Sequence, residues 1–525
     1  MRQRAPIRPL EGAPFHILSR GAAVVMLLML VAAGRAAETP AGGTPALRWF
    51  DSAGLTPPAR ALLDAMGSAR EWGLDPRDYD AAQILSDSRA LDASRHRVKI
   101  DAALSAAALR FVSHLHSGRI DPRSVGFDMP ARGREFDPEA VLARLAATGD
   151  TRAVLASVEP PFRHYALLKA QLGRYRALAA QPGRTPLPPI GAHSIAAGES
   201  YAGAPALRSW LVVLGDLPVA QRANDADHSL DPHLVEALRR FQFRHGLAQD
   251  GVLGRRTYAA LTVPLDFRVR QIGLTLERWR WLPVLNAPTI IVNIPQFRLF
   301  AFGSAGDQES RMLTMDVIVG QTYPRTRTPV FSADLKYVEF RPYWDVPYSI
   351  MSREQLPRIR SRPDYLVAQD LEIVGQDGTV TQHPDARQIA DLAAGAARLR
   401  QRPGPRNALG LVKFAMPNAY NVLLHDTPAN ELFRTARRAF SHGCIRVSDP
   451  AALAQFVLRQ AGGEWPREKI VAAMQGPATV RVDLKQWVRV LIVYGTAVAT
   501  EQGSIYFFDD IYGNDARLTR LLGLQ

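Results

Sequence analysis

Apolar positions recur three and four apart over the first half of the chain, the period of a helix, and alternate with polar ones over much of the second half, the period of a strand. The first regime begins near Trp49. Pro58 to Met66 is amphipathic, Trp72-Gly73-Leu74-Asp75-Pro76 stops it, and helices are expected over Asp101 to Leu115, Ala140 to Ala147 and Tyr165 to Leu178. A Pro- and Gly-rich stretch over 180–200 marks a boundary. A compact unit then runs from Ala206 to Leu261, centred on an amphipathic helix over Leu234 to Gln242 and closed by the Asp250-Gly251 turn. Asp266 to Trp281 is a further helix, expected to return to the first helical domain, so that the compact unit is an insertion.

From Thr289 the period is two. Strands are expected over Ile290 to Ile294, Met315 to Gly320, Phe331 to Phe340 and Val412 to Phe414. Between Trp344 and Gly410 lies a long insertion, about 349–410 at its centre, with one Ala-rich helix over Arg387 to Leu399. Insertions of this length beside a site are often lids. Trp487 to Ala499 and Ser504 to Phe508 read as two strands that finish the domain. The expected fold class is multidomain α+β: a helical domain over 47–199, a small three-helix module over 200–264, a returning helix over 265–288 and a mainly-β domain over 289–525.

At 525 residues the chain is too long for one domain, and 47% hydrophobic content is ample for several cores. A net charge of +14 suits an acidic polymer. The arginines are scattered rather than clustered and no nucleic-acid motif is present, so a cell-wall polymer fits as well as nucleic acid. Arg2, Arg4, Arg8 and Arg20 precede an apolar run from Gly21 to Ala33. That run is shorter than the ~20 residues of a membrane span. With small residues at Gly34 and Ala36, it reads as a signal peptide over 1–36, followed by a linker over 37–46. An uncleaved anchor is the alternative. Export places the protein in the periplasm, where its single cysteine cannot form an internal disulfide.

That cysteine lies in Ser441-His442-Gly443-Cys444-Ile445-Arg446. Gly443 allows a close backbone approach or a strained turn, and Arg446 supplies a fixed charge that favours a thiolate. Ser448-Asp449-Pro450 reads as a helix start, continued by Ala451 to Leu458. Cys444 is therefore expected on a tight loop between a strand and a helix, where backbone N–H groups at Gly443 and Cys444 can hold an oxyanion. Nineteen residues earlier, Asn421 to Leu424 reads as a buried strand ending in His425. A His at a strand end and a Cys on a neighbouring loop can form a base–nucleophile pair. Asp426 is the nearest side chain to orient His425, and His442 and Arg446 would line the pocket. A lone Cys is otherwise a small buried hydrophobe and a lone His a structural one. His114, His116 and His164 are read as structural on that ground. No histidine has metal-ligand spacing, so no metal or other cofactor is expected.

Together "LLHDTPANELF", "RAFSHGCIRV", "RPYWDVPYSI" and "GLVKFAMPNAYNV" resemble the large periplasmic branch of the L,D-transpeptidases, and "FQFRHGL…DGVLGRRTYAAL" resembles a peptidoglycan-binding module. Many relatives carry an aromatic two positions before the base His, where this chain has Leu423. The resemblance implies a helical scaffold domain, a substrate-capping insertion and a β catalytic domain with Cys444 as nucleophile and His425 as base. It further implies a backbone carbonyl orienting that base, and inhibition by carbapenem-type β-lactams. It implies peptidoglycan stem peptides and glycan as partners: a tetrapeptide donor and a 3-3 cross-link. Trp344, Ser441 and Asp426 are the further candidates for substrate contact. The same residues would serve an L,D-carboxypeptidase with water as acceptor, and a non-catalytic wall-binding protein is the reading outside enzymes.

Overall fold

The computed structural model describes residues 47–524 apart from 90–92, 130–135, 184, 220–226, 286, 304–311 and 461–463. The expected signal peptide and linker lie outside the described residues. The helical domain packs α1 (Pro57–Gly67), α2 (Ala93–Ser117), α3 (Pro138–Ala147) and α4 (Thr151–Val158) around Trp49, Leu62, Phe111 and Leu142. Caps start these helices where the sequence offers them: the Thr56 hydroxyl accepts from Ala59 N–H, and the Asp137 carboxylate accepts from Glu139 and Ala140 N–H. His114 and His116 serve this domain, His114 Nδ1 against the Tyr79 hydroxyl at 2.9 Å and His116 stacked on Phe136.

The next helices form a second core. α5 (Arg163–Ala179), α6 (Ala204–Leu214), α7 (Pro232–Arg244), α8 (Arg255–Leu261) and α9 (Leu265–Trp279) bury Leu168, Leu172, Leu207, Leu238, Phe241 and Leu276 together. The three helices of the small module thus share their interior with α5 and α9. α9 is the joint of the molecule. Its Glu277 carboxylate accepts from Arg119 N–H at 2.5 Å and Ile120 N–H at 3.0 Å, and its end places fully buried Arg280 on the Tyr165 hydroxyl at 2.9 Å. Arg278 meets Asp515 at 2.5 Å. Removing one partner of such a buried pair costs about 3–5 kcal/mol, so the helical and β parts are tightly joined.

The β domain is a nine-stranded sheet: β1 (Thr289–Asn293), β2 (Arg298–Phe302), β3 (Leu313–Gly320), β4 (Phe331–Phe340), β5 (Val412–Ala415), β6 (Leu424–His425), β7 (Ala439–Ser441), β8 (Ile445–Val447) and β9 (Val480–Val493). Their order is β7-β3-β8-β6-β5-β4-β9-β1-β2, and β3 also pairs with β2, which closes the sheet on itself. Ile290, Val292, Val317, Val338, Val412, Leu424, Ile445 and Val490 fill the interior with Leu453 and Val457 of α10 (Pro450–Gln460). The helical domain adds a rung: Asp128 N–H donates to Val330 O at 2.9 Å and Ser332 N–H to Asp128 O at 3.3 Å.

Two expectations change here. The sequence predicts two strands in the tail that finish this domain. Instead β9 ends at Val493, and β10 (Ala497–Ala499) and β11 (Ile505–Phe507) make a separate hairpin. Ala497, Ile505 and Phe507 are buried in the second helical core. The insertion holds more order than one helix. Trp344–Asp345, Leu371–Val374, Val380–Thr381 and Arg398–Gln401 form a four-stranded sheet, and the helix spans Ala386–Ala394 only. Gly395, in the left-handed conformation at φ 77°, ends that helix and releases the chain into the last strand. The insertion has its own core of Met351, Leu356, Leu366, Ile373, Leu392 and Leu399.

Candidate active site

β6 and β8 are parallel neighbours, with Leu424 opposite Ile445 and His425 opposite Arg446. Leu424 and Ile445 point into the core. Side chains alternate along a strand, so His425 and Arg446 share the other face. Ile445 N–H donates to Leu423 O at 3.0 Å, which carries the register one residue back. Cys444 therefore lies on the same face as His425, offset diagonally across two strands. The Ser441–Cys444 loop sits between β7 and β8, two short strands, and the helix starts only at Pro450. The expectation of a strand-to-helix loop is corrected accordingly.

Nδ1 of His425 lies 2.5 Å from the carbonyl oxygen of Asp426. The Asp426 carboxylate does not orient the ring. It accepts from Leu411 N–H at 2.8 Å and packs on Gly410. Burial, then the positive charge of Arg446, lower the His425 pKa to about 3, so the imidazole is neutral and can accept a proton. The Cys444 thiol points at Asn421 O, 3.7 Å away, and no hydrogen bond joins it to His425 among the described residues. Burial pushes its pKa up, against the lowering effect of a Leu423 backbone hydrogen bond and of Arg446. The resting pair is thus neutral thiol and neutral imidazole, not the ion pair that a low-pKa cysteine implies.

Ser441 is 2% exposed and knits the loop. Its hydroxyl donates to Cys444 O at 2.5 Å and accepts from Gly443 N–H at 3.1 Å. Both the Ser441 hydroxyl and the Gly443 N–H are thus engaged within the loop. The His442 and Cys444 N–H groups have no hydrogen-bond partner among the described residues. Gly443 has φ 122°, a region in which side chains are strained. Arg446 is half-buried, and its Nε has no hydrogen-bond partner among the described residues. Nε2 of His442 meets Glu354 of the insertion at 2.8 Å. Trp344 pairs with Gln401 in the insertion's sheet and packs on its core, a member of the insertion rather than of the cysteine loop. A cleft of about 1280 Å³ runs between Phe243 of the module, Arg298 of β2 and Tyr506 of the tail hairpin, and neither Cys444 nor His425 lines it.

Sequence reasoning missed Tyr420. It is exposed beside Asn421, and its hydroxyl reaches Asp128 of the helical domain at 3.3 Å. Asn421 itself adopts φ 54°, a conformation in which Asn is enriched and which turns its carbonyl toward the thiol. Tyr420 and Asn421 stand four and three positions before Leu424, the first residue of β6.

Three family models match the chain. Residues 287–486 match the L,D-transpeptidase catalytic domain, residues 203–261 the "Putative peptidoglycan binding domain" and residues 44–172 the "Scaffold domain". A curated relative from Haemophilus influenzae, the "Putative L,D-transpeptidase", is 30% identical over 289 residues, 54% of this chain. The match spans 57% of the length of that relative. The solved structure of a fused Zn-dependent amidase/peptidase/peptidoglycan-binding domain-containing protein from Clostridium acetobutylicum is 12% identical, covering 57% of this chain and 99% of that one. Its TM-score of 0.16 carries no argument about this fold. The chain carries an L,D-transpeptidase catalytic domain over residues 287–486, joined to a peptidoglycan-binding domain and a scaffold domain.

Proposed function

We propose that this protein is an L,D-transpeptidase that cross-links peptidoglycan through a thioester on Cys444. The observation that carries the reading is the shared face of β6 and β8, which sets a neutral, carbonyl-held imidazole diagonally from the chain's single thiol. Sγ has to leave Asn421 O for His425 before the proton moves, and a χ1 change between staggered wells is the simplest such movement. His425 takes the thiol proton as Sγ attacks the carbonyl between the third residue of a tetrapeptide stem and its terminal D-Ala. The Cys444 N–H faces the developing oxyanion, and the protonated imidazole returns its proton to the departing D-Ala amine. The acceptor is the side-chain amine of a third residue on another stem; its attack on the thioester frees the thiol and leaves a 3-3 cross-link. Arg446 would pair a stem carboxylate. The peptidoglycan-binding module holds the polymer, and the export signal read from the N-terminus puts the protein in the periplasm.

Mass spectrometry of the products formed from purified disaccharide-tetrapeptide tests this. A cross-linked dimer lacking one D-Ala is expected, and Cys444→Ala should give neither dimer nor a covalent carbapenem adduct. Shortened monomer alone would make the enzyme a carboxypeptidase, and an adduct on Cys444→Ala would refute the thioester.

A further inference from the structure

The cysteine loop is held from below by the Thr328 hydroxyl, which the Tyr512 hydroxyl braces in turn. The Thr328 side chain accepts from Gly320 N–H at 2.8 Å and donates to Gly443 O at 2.8 Å. Tyr512 donates its hydroxyl to Gly320 O at 2.6 Å and accepts from Thr328 N–H at 3.2 Å. Both side chains are buried. Gly320 makes this closeness possible: a Cβ there would lie 2.1 Å from Thr326 O and 2.6 Å from Thr328 N. Tyr512 is fixed in turn by its own N–H on the Tyr494 hydroxyl at 2.9 Å, and that hydroxyl donates to Asp510 at 2.7 Å. The guanidinium of Arg327 lies 5.4 Å from the Tyr512 ring. Tyr512 comes from the tail, beyond the end of the matched catalytic domain at residue 486.

A trans peptide is planar, so its C=O and the next N–H point in opposite directions. Clamping Gly443 O therefore aims the Cys444 N–H, a loop donor with no partner among the described residues. We propose that Thr328 and Tyr512 are positioning residues for the reaction: they fix the Gly443–Cys444 peptide plane so that the Cys444 N–H faces the oxyanion. This rests on the transpeptidase reading.

The test compares Thr328→Val, Thr328→Ser and Tyr512→Phe in the full chain, by the rate of Cys444 acylation with a carbapenem and with tetrapeptide. Loss of one oxyanion donor costs about 10²–10³-fold. Thr328→Val should lower the acylation rate constant by roughly 10²-fold with KM little changed, and Tyr512→Phe by roughly tenfold, fractions of that same loss. Thr328→Ser keeps the hydroxyl and should restore most of the rate. Alkylation of Cys444 by iodoacetamide builds no oxyanion, so it should stay near the wild-type rate in all three. Wild-type acylation rates in folded Thr328→Val, or an equal drop in alkylation, would overturn the proposal. If Thr328→Val fails to fold, a wild-type rate in Tyr512→Phe overturns it. Absence of any acyl-enzyme in the wild type would instead refute the functional reading.

Discussion

His442 Nε2 of the cysteine loop meets Glu354 Oε1 of the insertion at 2.8 Å, so the two segments touch one residue away from Gly443. Both side chains are about 40% exposed (41% and 39%). A pair this open is worth about 0–1 kcal/mol. Glu354→Ala should therefore leave thermal stability nearly unchanged. Alkylation of Cys444 should rise several-fold as the insertion loosens, and transfer to an acceptor stem should fall. Unchanged alkylation would show that the contact does not hold the insertion near the thiol.

The insertion can be removed as a unit. Its ends are adjacent, because Val412 pairs with Phe340 and Asn407 donates to Pro342 O at 3.1 Å, and its core is its own. A short turn in place of 343–408 should leave the unfolding midpoint within a few degrees, the scale of about 1 kcal/mol in a domain of this size. Transfer should fall far more than stability. Equal loss of both, measured by calorimetry and product analysis, would make the insertion part of the catalytic core.

The raised Cys444 pKa predicts how thiol reactivity follows pH. Because burial favours the protonated form, alkylation should keep climbing from pH 7 past the ~8.5 of a free thiol. Arg446 favours the thiolate and disfavours the imidazolium. Arg446→Leu should thus move the thiol limb to still higher pH and raise the His425 pKa. A wild-type rate that levels off below pH 7 would contradict the neutral resting pair.

Acid should unfold the protein through its buried histidines. His425 titrates near 3 and His114 near 4 in the fold, both mainly through burial, and His245 is well below its ordinary value for the same reason. Each is lower than the ~6.5 of an unfolded His. Between those values the unfolded chain binds more protons, so stability rises with pH, is complete above about 6.5, and is lost as pH falls toward 4 and 3. The slope is at most about 1.4 kcal/mol per pH unit for each group. Thermal midpoints at pH 7.0, 5.5 and 4.5 check this; a flat profile counts against it.

The cysteine loop and the strand before His425 were legible because chemistry demands particular side chains there in a short string. The helix over Pro232–Arg244 was legible because Asp231 caps it and its apolar residues keep one period. What could not be read is what the backbone does. The family resemblance implies a backbone carbonyl on the His425 ring, but residue types alone do not say that it is the carbonyl of Asp426, whose carboxylate binds Leu411 N–H. Ser441 looked like a substrate contact because it stands beside the cysteine, yet it is turned inward. The strands of the insertion are two to four residues long, too short for alternation to show. The tail hairpin has an ordinary strand pattern, and only packing decides which core takes it.

β1 and β9 pair in parallel, Ile290 beside Val490 and Val292 beside Ile492, about two hundred residues apart. A ribosome moving at ~5–20 residues per second completes β9 on the order of ten to forty seconds after β1. Through that interval one edge of β1 has no strand to meet, and Ile290 and Val292, fully enclosed in the finished sheet, have no core to enter. Late pairing of this kind slows folding and leaves a template for the wrong partner. The step of biogenesis at which a holding chaperone has most to shield is therefore the half-made chain between its first and last sheet strands, before the site around Cys444 has its floor.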